Sequence, residues 1–331
     1  MPAPLLLVGH FPPPRGGVAV HLDRLRAGLF RRGVPVRCCS FGNSDPAQSS
    51  TLIIRKHPLA FFGALLRGAR ILHYHTDEGD WKSAALMGIW CALRGQRYML
   101  TLHSFRDHPF LRRSWAKALI RFTYRRADAI ICISDNLRTE LQQRLPVPAD
   151  RVVVVPSFIA PSDAERRAQP REEFRSLAQR CRAIIAFNAF APTVHDQQDL
   201  YGGDIVLDAF AMIRNEFPEA GLFMAYMRFD DSPHARALQS KAKTLGDRVV
   251  LSVQPDMPFI PELAASAVFV RATLNDGGPS LSVLEALSLG VFTAASDAVP
   301  RPPECALFAN RDAASLAAVL RTILRDVRDG K

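Results

Sequence analysis

Short apolar segments alternate with helical patterns along this chain, and that alternation constrains its fold more than any other feature. Between the segments lie stretches such as 18–32, in which Leu22, Leu25 and Leu29 share one face and Gly33 gives a stop signal. Continuously apolar strands that alternate with helices indicate a parallel sheet covered by helices on both faces. The strand-like segments of the first half are 5–11, 34–41, 69–76, 97–104, 129–134 and 152–157.

The same alternation starts again after a charged, proline-containing stretch at 161–177. A chain of 331 residues is long enough for two domains, at roughly 150 residues for each. We therefore predict an α/β protein with two doubly wound, Rossmann-like domains, at 1–160 and 161–331. Ligands of such sheets bind at the carboxyl ends of the strands, so we expect a cleft across which the two sets of strand ends face each other.

Composition excludes several classes of protein. The nearest candidate for a membrane span, 59–66, is far shorter than the about 18 apolar residues that a spanning helix needs. The six cysteines show no CxxC pair, which is typical of reduced thiols. The start lacks a basic segment before its apolar run, so we expect no signal peptide and a cytoplasmic location. The formal net charge of +10 indicates an anionic partner.

Part of the positive charge is concentrated on one predicted helix, 111–126. Two interpretations are open: the helix lies on an anionic membrane surface, or its apolar residues pack inside while its basic residues face solvent. No nucleic-acid-binding motif accompanies the charge, so we expect no nucleic-acid partner. The basic residues are Arg113, Lys117, Arg121 and Arg125, and the apolar residues beside them are Leu111, Trp115, Leu119 and Phe122.

Gly16 and Gly17 follow the first predicted strand and precede a helix. Bare backbone N–H groups at a helix N-terminus can bind a phosphate, whereas a tight turn is the commoner meaning of a glycine pair. The sequence contains neither the GxGxxG pattern nor the P-loop pattern, which disfavours a nicotinamide-type site and a P-loop nucleotidase. Both interpretations of the pair stay open.

From Gly277 to Ser296, the only ionisable side chain is Glu285. The stretch predicts a strand-end loop, a helix that begins near Ser280 and a stop at Gly290. Leucines and valine surround this helix, so we expect it to be buried on every side. A buried carboxylate needs hydrogen-bond donors, which either ribose hydroxyls or neighbouring groups of the protein would supply.

Taken in order, these segments resemble the retaining glycosyltransferases of family 4, which have the two-domain GT-B fold. The resemblance extends over nearly the whole chain, and its last segment is the most specific. The segments that carry it are PPPRGGVAVHLDRL, ILHYHT, YMLTLHS, ADAIICIS, GGDIVLDAF and GGPSLSVLEALSLGVFTAASD.

The resemblance implies roles for individual residues. His103 would lie at the reacting sugar as a catalytic residue, and Glu285 would bind the nucleotide ribose. The glycine pair would lie beside the donor's diphosphate and sugar, and backbone near the start of the last helix would complete the phosphate site. The donor-binding residues implied in this way are Gly16, Gly17, Ser280, Leu281 and Glu285.

The chain departs from the family pattern at three positions. The family's sugar-binding glutamate falls on Gly277, which we keep in the predicted donor site, and the neighbouring Asp276 is the candidate substitute and second catalytic residue. The family's diphosphate-binding arginine and lysine fall on Ala189 and Tyr201. Loss of two cations would weaken stabilisation of the leaving group, so we predict that Arg271 replaces them in a divergent branch of active enzymes.

His73 and His75, followed by Asp77 and Asp80, end another predicted strand. Their spacing lacks the further ligands of a metal site, so we expect no metal and interpret His75 and Asp80 as acceptor-binding residues. The family resemblance implies transfer with a retained anomeric configuration, without a metal or other cofactor. The donor would be a nucleotide-diphosphate sugar of the UDP or GDP type.

The expected function is transfer of a sugar to a saccharide or lipid-linked saccharide in the assembly of a bacterial-type envelope, lipopolysaccharide or exopolysaccharide. Domain 1–160 would bind the acceptor and domain 161–331 the nucleotide sugar. The basic helix would hold the enzyme as a peripheral protein on the inner face of the cytoplasmic membrane. Two alternatives stay open: a nucleotide-sugar epimerase or hydrolase on the same fold, and a non-catalytic GT-B binding protein, which the missing arginine and lysine suggest.

Overall fold

The computed structural model describes residues 5–41, 51–54, 56–66, 69–76, 81–104, 113–145, 147–253, 258–276 and 280–330. Its internal contacts divide the chain into two compact units, unit 1 from Met1 to Ile159 and unit 2 from Ala160 to Lys331. The division lies next to the boundary that the sequence predicts at 160/161. No helix among the described residues is both long and apolar enough to cross a membrane.

Unit 1 contains a parallel sheet. Its described strands are β1 (Leu5–Gly9), β2 (Val36–Ser40), β3 (Leu52–Ile53), β4 (Ile71–Thr76), β5 (Arg97–Leu102), β6 (Ala129–Cys132) and β7 (Val152–Val154). Their order across the sheet is β3-β2-β1-β4-β5-β6-β7, and every neighbouring pair is parallel. Parallel neighbours need crossover connections, which the helices between them supply.

The helices of unit 1 cover both faces of this sheet. The described ones are α1 (Gly17–Arg31), α2 (Pro58–Leu66), α3 (Trp81–Arg94), α4 (Ser114–Arg125) and α5 (Asp135–Arg144). Right-handed crossovers put α1 on one face and α2, α3 and α4 on the other, because α1 connects strands in the opposite direction across the sheet. The side chains of β1 alternate accordingly: Leu7 packs with Leu22 of α1, whereas Leu6 and Val8 pack with Phe61 of α2.

Unit 2 contains a second parallel sheet. Its described strands are β8 (Ala183–Ala189), β9 (Val194–His195), β10 (Gln198–Asp199), β11 (Ala220–Tyr226), β12 (Val249–Val253), β13 (Val268–Arg271), β14 (Phe292–Ser296) and β15 (Ala306–Phe308). The sheet has the order β12-β11-β8-β13-β14-β15 with parallel neighbours, and β9 and β10 form a separate antiparallel pair.

Helices also surround the sheet of unit 2. The described ones are α6 (Asp163–Arg167), α7 (Glu172–Arg180), α8 (Gly203–Ile213), α9 (Pro233–Thr244), α10 (Ile260–Ala264), α11 (Leu281–Ser288) and α12 (Ala313–Arg328). Phe210 of α8 and Leu320 of α12 pack with Ile185 of β8, and Val283 of α11 packs with Ala186 on the other side of that strand. The predicted fold class, two doubly wound α/β units, is confirmed.

The strand order reverses once in each sheet. In unit 1 the reversal lies between β1 and β4, and in unit 2 it lies between β8 and β13. At such a switch point the connections leave in opposite directions, so the carboxyl ends of the two strands border an open crevice. The segments after β1, β4, β8 and β13 are therefore the places at which each unit can bind a ligand.

The packing of helix α4 disagrees with one of the two interpretations of its sequence. Its buried side chains are Ala116, Ile120, Thr123 and Tyr124. Trp115 and Phe122 point outward and remain 57% and 49% exposed. The interpretation that the apolar stripe with Trp115 and Phe122 packs inside the domain is therefore wrong. Another set of side chains faces the sheet, and Trp115 and Phe122 share the outer surface with the basic residues.

Helix α11 is less buried than its composition predicts. Ser282, Val283, Glu285 and Ala286 are buried, whereas the leucines at 281, 284 and 287 are only partly buried. The expectation that the helix is covered on every side is wrong for its leucine-bearing side. The buried side includes the Glu285 carboxylate, for which ribose hydroxyls and neighbouring groups of the protein are the two candidate donors.

Gly202 is a position at which the fold requires glycine. It has φ +73° and forms the N-cap of α8. A Cβ atom there would lie 2.1 Å from the carbonyl oxygen of Ala272, in the loop after β13. The main-chain N–H of Leu274 donates to the carbonyl of Leu200 at 2.8 Å, so the two loops touch backbone to backbone. This contact holds the segment after β13 against the start of α8.

Replacing Gly202 by alanine should therefore destabilise unit 2 strongly. We expect Gly202→Ala to lower the free energy of unfolding by about 3 kcal/mol or more, because backbone strain at positive φ adds to displacement of a packed loop. Gly246→Ala is the matched control, since Gly246 has φ +86° but open space around it. It should cost only about 1–2 kcal/mol. Urea unfolding measures both, and equal losses would contradict the close contact.

Candidate functional site

Three imidazoles from separate elements of unit 1 converge beside its switch point. His21 lies on α1, His75 lies in β4 and His103 directly follows β5. Their ring centroids form a nearly equilateral triangle with sides of 5.4 Å (His21 to His75), 5.3 Å (His21 to His103) and 5.4 Å (His75 to His103). The atoms His75 Nδ1 and His103 Nε2 are 3.1 Å apart. We call these three residues the histidine cluster.

Contacts with main-chain carbonyls position two residues of the histidine cluster. The N–H of His103 donates to the carbonyl of Thr76 at 3.1 Å, which keeps His103 beside β4. Nδ1 of His21 lies 2.6 Å from the carbonyl oxygen of Ser157. A carbonyl oxygen only accepts hydrogen bonds, so Nδ1 carries the proton and Nε2 of the neutral ring has a free lone pair.

Burial makes these rings hard to protonate, because a charged imidazole loses its solvation. It lowers the pKa of His73, whose ring lies against His75, to about 4, and the pKa of His103 to about 3. Burial followed by repulsion from His73, His103 and His21 lowers the pKa of His75 well below its usual value. The pKa of His21 is also lowered by burial, which the Ser157 carbonyl opposes in part. The cluster is neutral at pH 7.

Gly16 and Gly17 lie at the N-terminus of the helix that carries His21. Gly16 is the N-cap, with φ −87°, and neither glycine has a positive φ. A Cβ atom on either residue would meet no atom within 4 Å. Gly16 closes a short turn, because its main-chain N–H donates to the carbonyl of Pro14 at 3.1 Å. Neither a positive φ nor crowding by described residues requires glycine at either position, so both interpretations of the pair stay open.

In unit 2, a buried carboxylate holds two arginines at the carboxyl end of β13. Asp276 accepts hydrogen bonds from Arg271 Nη2 at 2.8 Å, Thr273 Oγ1 at 2.6 Å and Arg301 Nη1 at 2.9 Å. The Arg301 side chain is fully buried, and those of Arg271 and Asp276 are each 12% exposed. We call these four residues the arginine cluster.

The arginine cluster has a net positive charge. Burial by itself would raise the pKa of Asp276, but the charge and hydrogen bonds of Arg271, with Thr273 and Arg301, outweigh that effect and lower it. The carboxylate is therefore ionised at neutral pH. Two guanidinium groups around one carboxylate leave one positive charge in excess, at a strand end where an anionic ligand can approach.

Arg271 also lies near the positions at which the family pattern predicts its two missing cations. Its guanidinium carbon is 5.8 Å from the ring centroid of Tyr201. Ala189 ends β8, the strand that pairs with β13, and Arg271 ends β13 itself. The replacement of the missing cations by Arg271 is thus sterically reasonable, and its binding role remains a prediction.

The N-terminus of α11 follows the arginine cluster in sequence. Ser280 is the N-cap, as the sequence predicts, but its hydroxyl hydrogen-bonds Ser282 Oγ at 3.0 Å and makes no capping bond to the backbone. The side chain of Ser280 therefore leaves the N–H groups of Leu281 and Ser282 uncapped, whereas the N–H of Val283 donates to the Ser280 carbonyl at 3.1 Å. Glu285 lies in the second turn and is 7% exposed.

The structure brings together some of the predicted site residues. His75 and His103 meet in unit 1, and Arg271 and Asp276 meet in unit 2. Asp80 and Gly277 lie outside the described residues, and their roles stay predictions. Sequence reasoning missed His21 and Arg301, because each reaches its cluster from an element distant in sequence. The only sequence signal for these two residues was a residue type suited to ligand binding close to the end of a strand or helix.

Comparison with known families gives a match to the first part of the chain. Residues 15–163 match the family model described as Glycosyltransferase Family 4. These residues include Gly16, Gly17 and all three members of the histidine cluster. Among curated proteins, none matches the sequence.

Comparison with solved structures extends over both units. A glycosyltransferase from Rickettsia africae ESF-5 superposes with a TM-score of 0.68 and 14% identity, over 98% of this chain and 88% of that chain. Anabaena Alr3699/HepE in complex with UDP-glucose gives a TM-score of 0.66 and 15% identity, over 98% and 90%. WaaG, a glycosyltransferase involved in lipopolysaccharide biosynthesis, gives 0.60 and 14%, over 97% and 90%. At these identities the likeness establishes the fold, which is GT-B.

The neutral histidines make stability depend on pH. The pKa values of His73 and His103 are about 4 and about 3 in the folded protein, against about 6.5 in an unfolded chain. Between these values the unfolded state binds more protons, so stability is complete above about pH 6.5 and falls as the pH falls. The expected slope is at most about 1.4 kcal/mol per pH unit for each imidazole.

Urea midpoints at pH 7.5 and pH 5.0, measured with a chelator in the buffer, test this expectation. The wild-type midpoint should be lower at pH 5.0, and His103→Asn should reduce the difference. His195→Asn, which removes an exposed histidine of unit 2, should keep the wild-type difference. A midpoint that does not change with pH would show that these imidazoles titrate normally in the folded protein.

Proposed function

We propose that the chain is a GT-B glycosyltransferase that transfers a sugar from a nucleotide-diphosphate donor with a retained anomeric configuration. The match of residues 15–163 to the family 4 model and the GT-B fold support this proposal. The proposed acceptor is a hydroxyl group of a saccharide or lipid-linked saccharide. HepE was solved with UDP and with UDP-glucose, so UDP-glucose is the first donor to test.

The observation that carries the proposal is the open space around Gly16 and Gly17. Two glycines that the described fold does not need lie at the N-terminus of α1, next to the histidine cluster. Backbone without side chains can approach a diphosphate closely, and the N-terminus of the helix carries partial positive charge. Close approach of a sugar diphosphate would account for the absence of a side chain at both positions.

In unit 2, positive charge is available for the leaving diphosphate. The arginine cluster supplies one excess charge, and the uncapped first turn of α11 supplies backbone donors. Groups that are already in position when charge develops stabilise the transition state without reorganisation. We propose that Arg271 and the α11 N-terminus bind the diphosphate, so that transfer needs no metal, while Glu285 binds the ribose.

The proposed reaction breaks the bond between the sugar and the diphosphate and forms a bond from the acceptor oxygen on the same face of the sugar. The leaving phosphate accepts the acceptor's proton. His103, neutral in the folded protein, is assigned to orienting a sugar hydroxyl or presenting its carbonyl to the developing positive charge. His75 and Asp80 remain the proposed acceptor-binding residues. Asp276, already bonded to three donors, remains a candidate for the sugar contact.

The outer surface of α2, α3 and α4 supports a lipid-linked acceptor. Ring packing of Phe62 against Trp90 joins α2 to α3, and α3 packs against α4. None of these three helices contains an aspartate or glutamate. Apolar exposure beside basic residues favours an anionic bilayer, with about 1 kcal/mol per basic residue near the surface. The exposed apolar residues are Leu59, Phe62, Leu66, Leu86, Leu93, Trp115 and Phe122.

We propose that this surface holds the enzyme on the inner face of the cytoplasmic membrane, where lipid-linked saccharides of the envelope are assembled. WaaG, which has the same fold, is a glycosyltransferase involved in lipopolysaccharide biosynthesis. The basic residues of α4, spaced every four positions, run alongside Trp115 and Phe122. A surface of this kind binds by partial insertion of apolar side chains and by charge attraction.

Donor binding tests the proposal most directly. UDP, UDP-glucose and GDP should be compared in a thermal-shift panel with wild type, Glu285→Gln and Gly17→Ala. We expect one nucleotide to raise the Tm of the wild type and each variant to weaken its binding by at least about tenfold, a loss of about 1.4 kcal/mol. Glu285→Gln removes the charged acceptor for the ribose hydroxyls, and Gly17→Ala adds a methyl group that crowds the diphosphate.

Gly28→Ala is the matched control for Gly17→Ala, because Gly28 lies on the same helix with open space around it. It should raise stability by about 0.5–1 kcal/mol and leave nucleotide binding unchanged. If no nucleotide stabilises the wild type, a non-catalytic binding protein becomes the better interpretation. If a sugar nucleotide is consumed at full rate without any acceptor, an epimerase or hydrolase replaces the transferase.

Vesicle binding tests the membrane surface. The wild type should co-sediment with phosphatidylglycerol vesicles and much less with phosphatidylcholine vesicles, and high salt should weaken the binding. The double variant Trp115→Ser/Phe122→Ser should bind at least about tenfold more weakly, because two apolar side chains no longer insert.

Phe30→Ser is the matched control for this pair. Phe30 is 79% exposed and lies on α1, on the opposite face of the sheet. Its removal should leave vesicle binding unchanged. An equal loss in this control, or equal binding to neutral vesicles, would contradict a docking surface on α4.

A further inference from the structure

The histidine cluster has the arrangement of a metal site. We propose that His21, His75 and His103 bind a divalent transition metal, and that Zn²⁺ is the ion that their geometry fits. One ligand nitrogen from each ring can be chosen so that all three lie within 4.8 Å of one another. The site would belong entirely to unit 1.

The spacing of the rings agrees with tetrahedral zinc. Zn–N bonds of about 2.0–2.1 Å at tetrahedral angles put ligand nitrogens about 3.3 Å apart and imidazole centroids about 5.2 Å apart. The centroids of the histidine cluster are 5.3–5.4 Å apart. His75 Nδ1 and His103 Nε2 are 3.1 Å apart. The three ligand nitrogens lie within 4.8 Å of one another, so the rings would close by up to about 1.5 Å to reach the spacing of about 3.3 Å around one ion.

The hydrogen bonds of the cluster also favour a metal. In metal sites, a ligating histidine usually donates its other ring N–H to a carbonyl or carboxylate, which fixes the tautomer. His21 has this arrangement, with Nδ1 bonded to the Ser157 carbonyl and Nε2 turned into a free acceptor. His75 is 1% exposed. Its Nδ1 faces His103 Nε2 at 3.1 Å, so Nδ1 is its candidate ligand atom.

The ligand set selects the class of metal. Imidazole nitrogen suits Zn²⁺, Cu²⁺, Fe²⁺ and Ni²⁺, whereas Mg²⁺ and Ca²⁺ prefer oxygen ligands. Three neutral rings in a compact, three-sided arrangement match tetrahedral Zn²⁺ better than the square-planar geometry of Cu²⁺ or Ni²⁺. A fourth tetrahedral position would remain for water or an exogenous ligand. We expected no metal from the sequence, because the spacing of His73, His75 and Asp77 alone does not form a site.

The site would have a consequence that rests on the proposed function. His103 is assigned there to the reacting sugar, so a bound Zn²⁺ would hold its ring away from that role. Zinc should therefore inhibit sugar transfer, while binding of the diphosphate, which is assigned to the glycine pair, Arg271 and the α11 N-terminus, needs no metal. Metal binding itself is measured without nucleotide or acceptor, so its outcome is independent of whether the protein proves to be a transferase.

The experiment uses the full chain without an added histidine tag, stripped of metal with EDTA and then dialysed. Co²⁺ titration should produce the intense visible absorption of a tetrahedral site, saturating at one equivalent, and Zn²⁺ should abolish it by displacement. Zn²⁺ should also raise the Tm, because a ligand that binds only the folded state stabilises it. His21→Asn and His103→Asn should each weaken Co²⁺ binding by more than about tenfold.

His195→Asn is the control for loss of a histidine elsewhere, and circular dichroism verifies that each variant folds. Two variants on different elements keep the test decisive if one of them unfolds. The proposal is overturned if binding exceeds or falls short of one equivalent, or if the Co²⁺ spectrum is that of an octahedral complex. It is also overturned if both cluster variants bind as the wild type does, or if His195→Asn loses the site equally.

Discussion

The parallel pairing of strands, with one reversal of order in each sheet, is the constraint on which both clusters depend. Parallel strands end at the same edge, so residues that follow different strands come together without being close in sequence. In unit 1 this edge brings His75 and His103 beside the helix that carries His21. In unit 2 it brings Arg271 beside Asp276 and Arg301. The chemistry of each unit is thus a result of its topology.

The two clusters solve the problem of buried polar groups in different ways. The arginine cluster keeps its charges, because Asp276 and the two guanidinium groups compensate one another and share hydrogen bonds. The histidine cluster avoids charge, because burial lowers the pKa of each ring and leaves neutral imidazoles. An excess cation suits an anionic ligand, whereas neutral nitrogen lone pairs suit a metal or a sugar hydroxyl. The two units therefore carry chemically distinct clusters.

Helix α4 shows where a sequence pattern was ambiguous. Its basic and apolar stripes are readable from spacing, but the spacing does not state which stripe faces the sheet. The structure buries Ala116, Ile120 and Tyr124 and leaves Trp115 outside. Close packing of α4 against α3 favours small side chains at the contact, since Gly88 of α3 approaches Thr123 of α4 so closely that a Cβ atom would lie 3.1 Å from it. Trp115 and Phe122 lie on the outer surface instead.

The sequence alone was enough to predict the fold class and the division into two units. It also predicted that Gly16 and Gly17 precede the first helix and that Ser280 is the N-cap of α11. These features follow from local periodicity and helix-end chemistry. Family resemblance added the expected activity. The folded structure was needed to show that Arg301 completes the arginine cluster and that His21 joins two other histidines. Such contacts depend on which strands are neighbours in the sheet. Local sequence patterns predict each strand, but they do not predict the order in which distant strands pair.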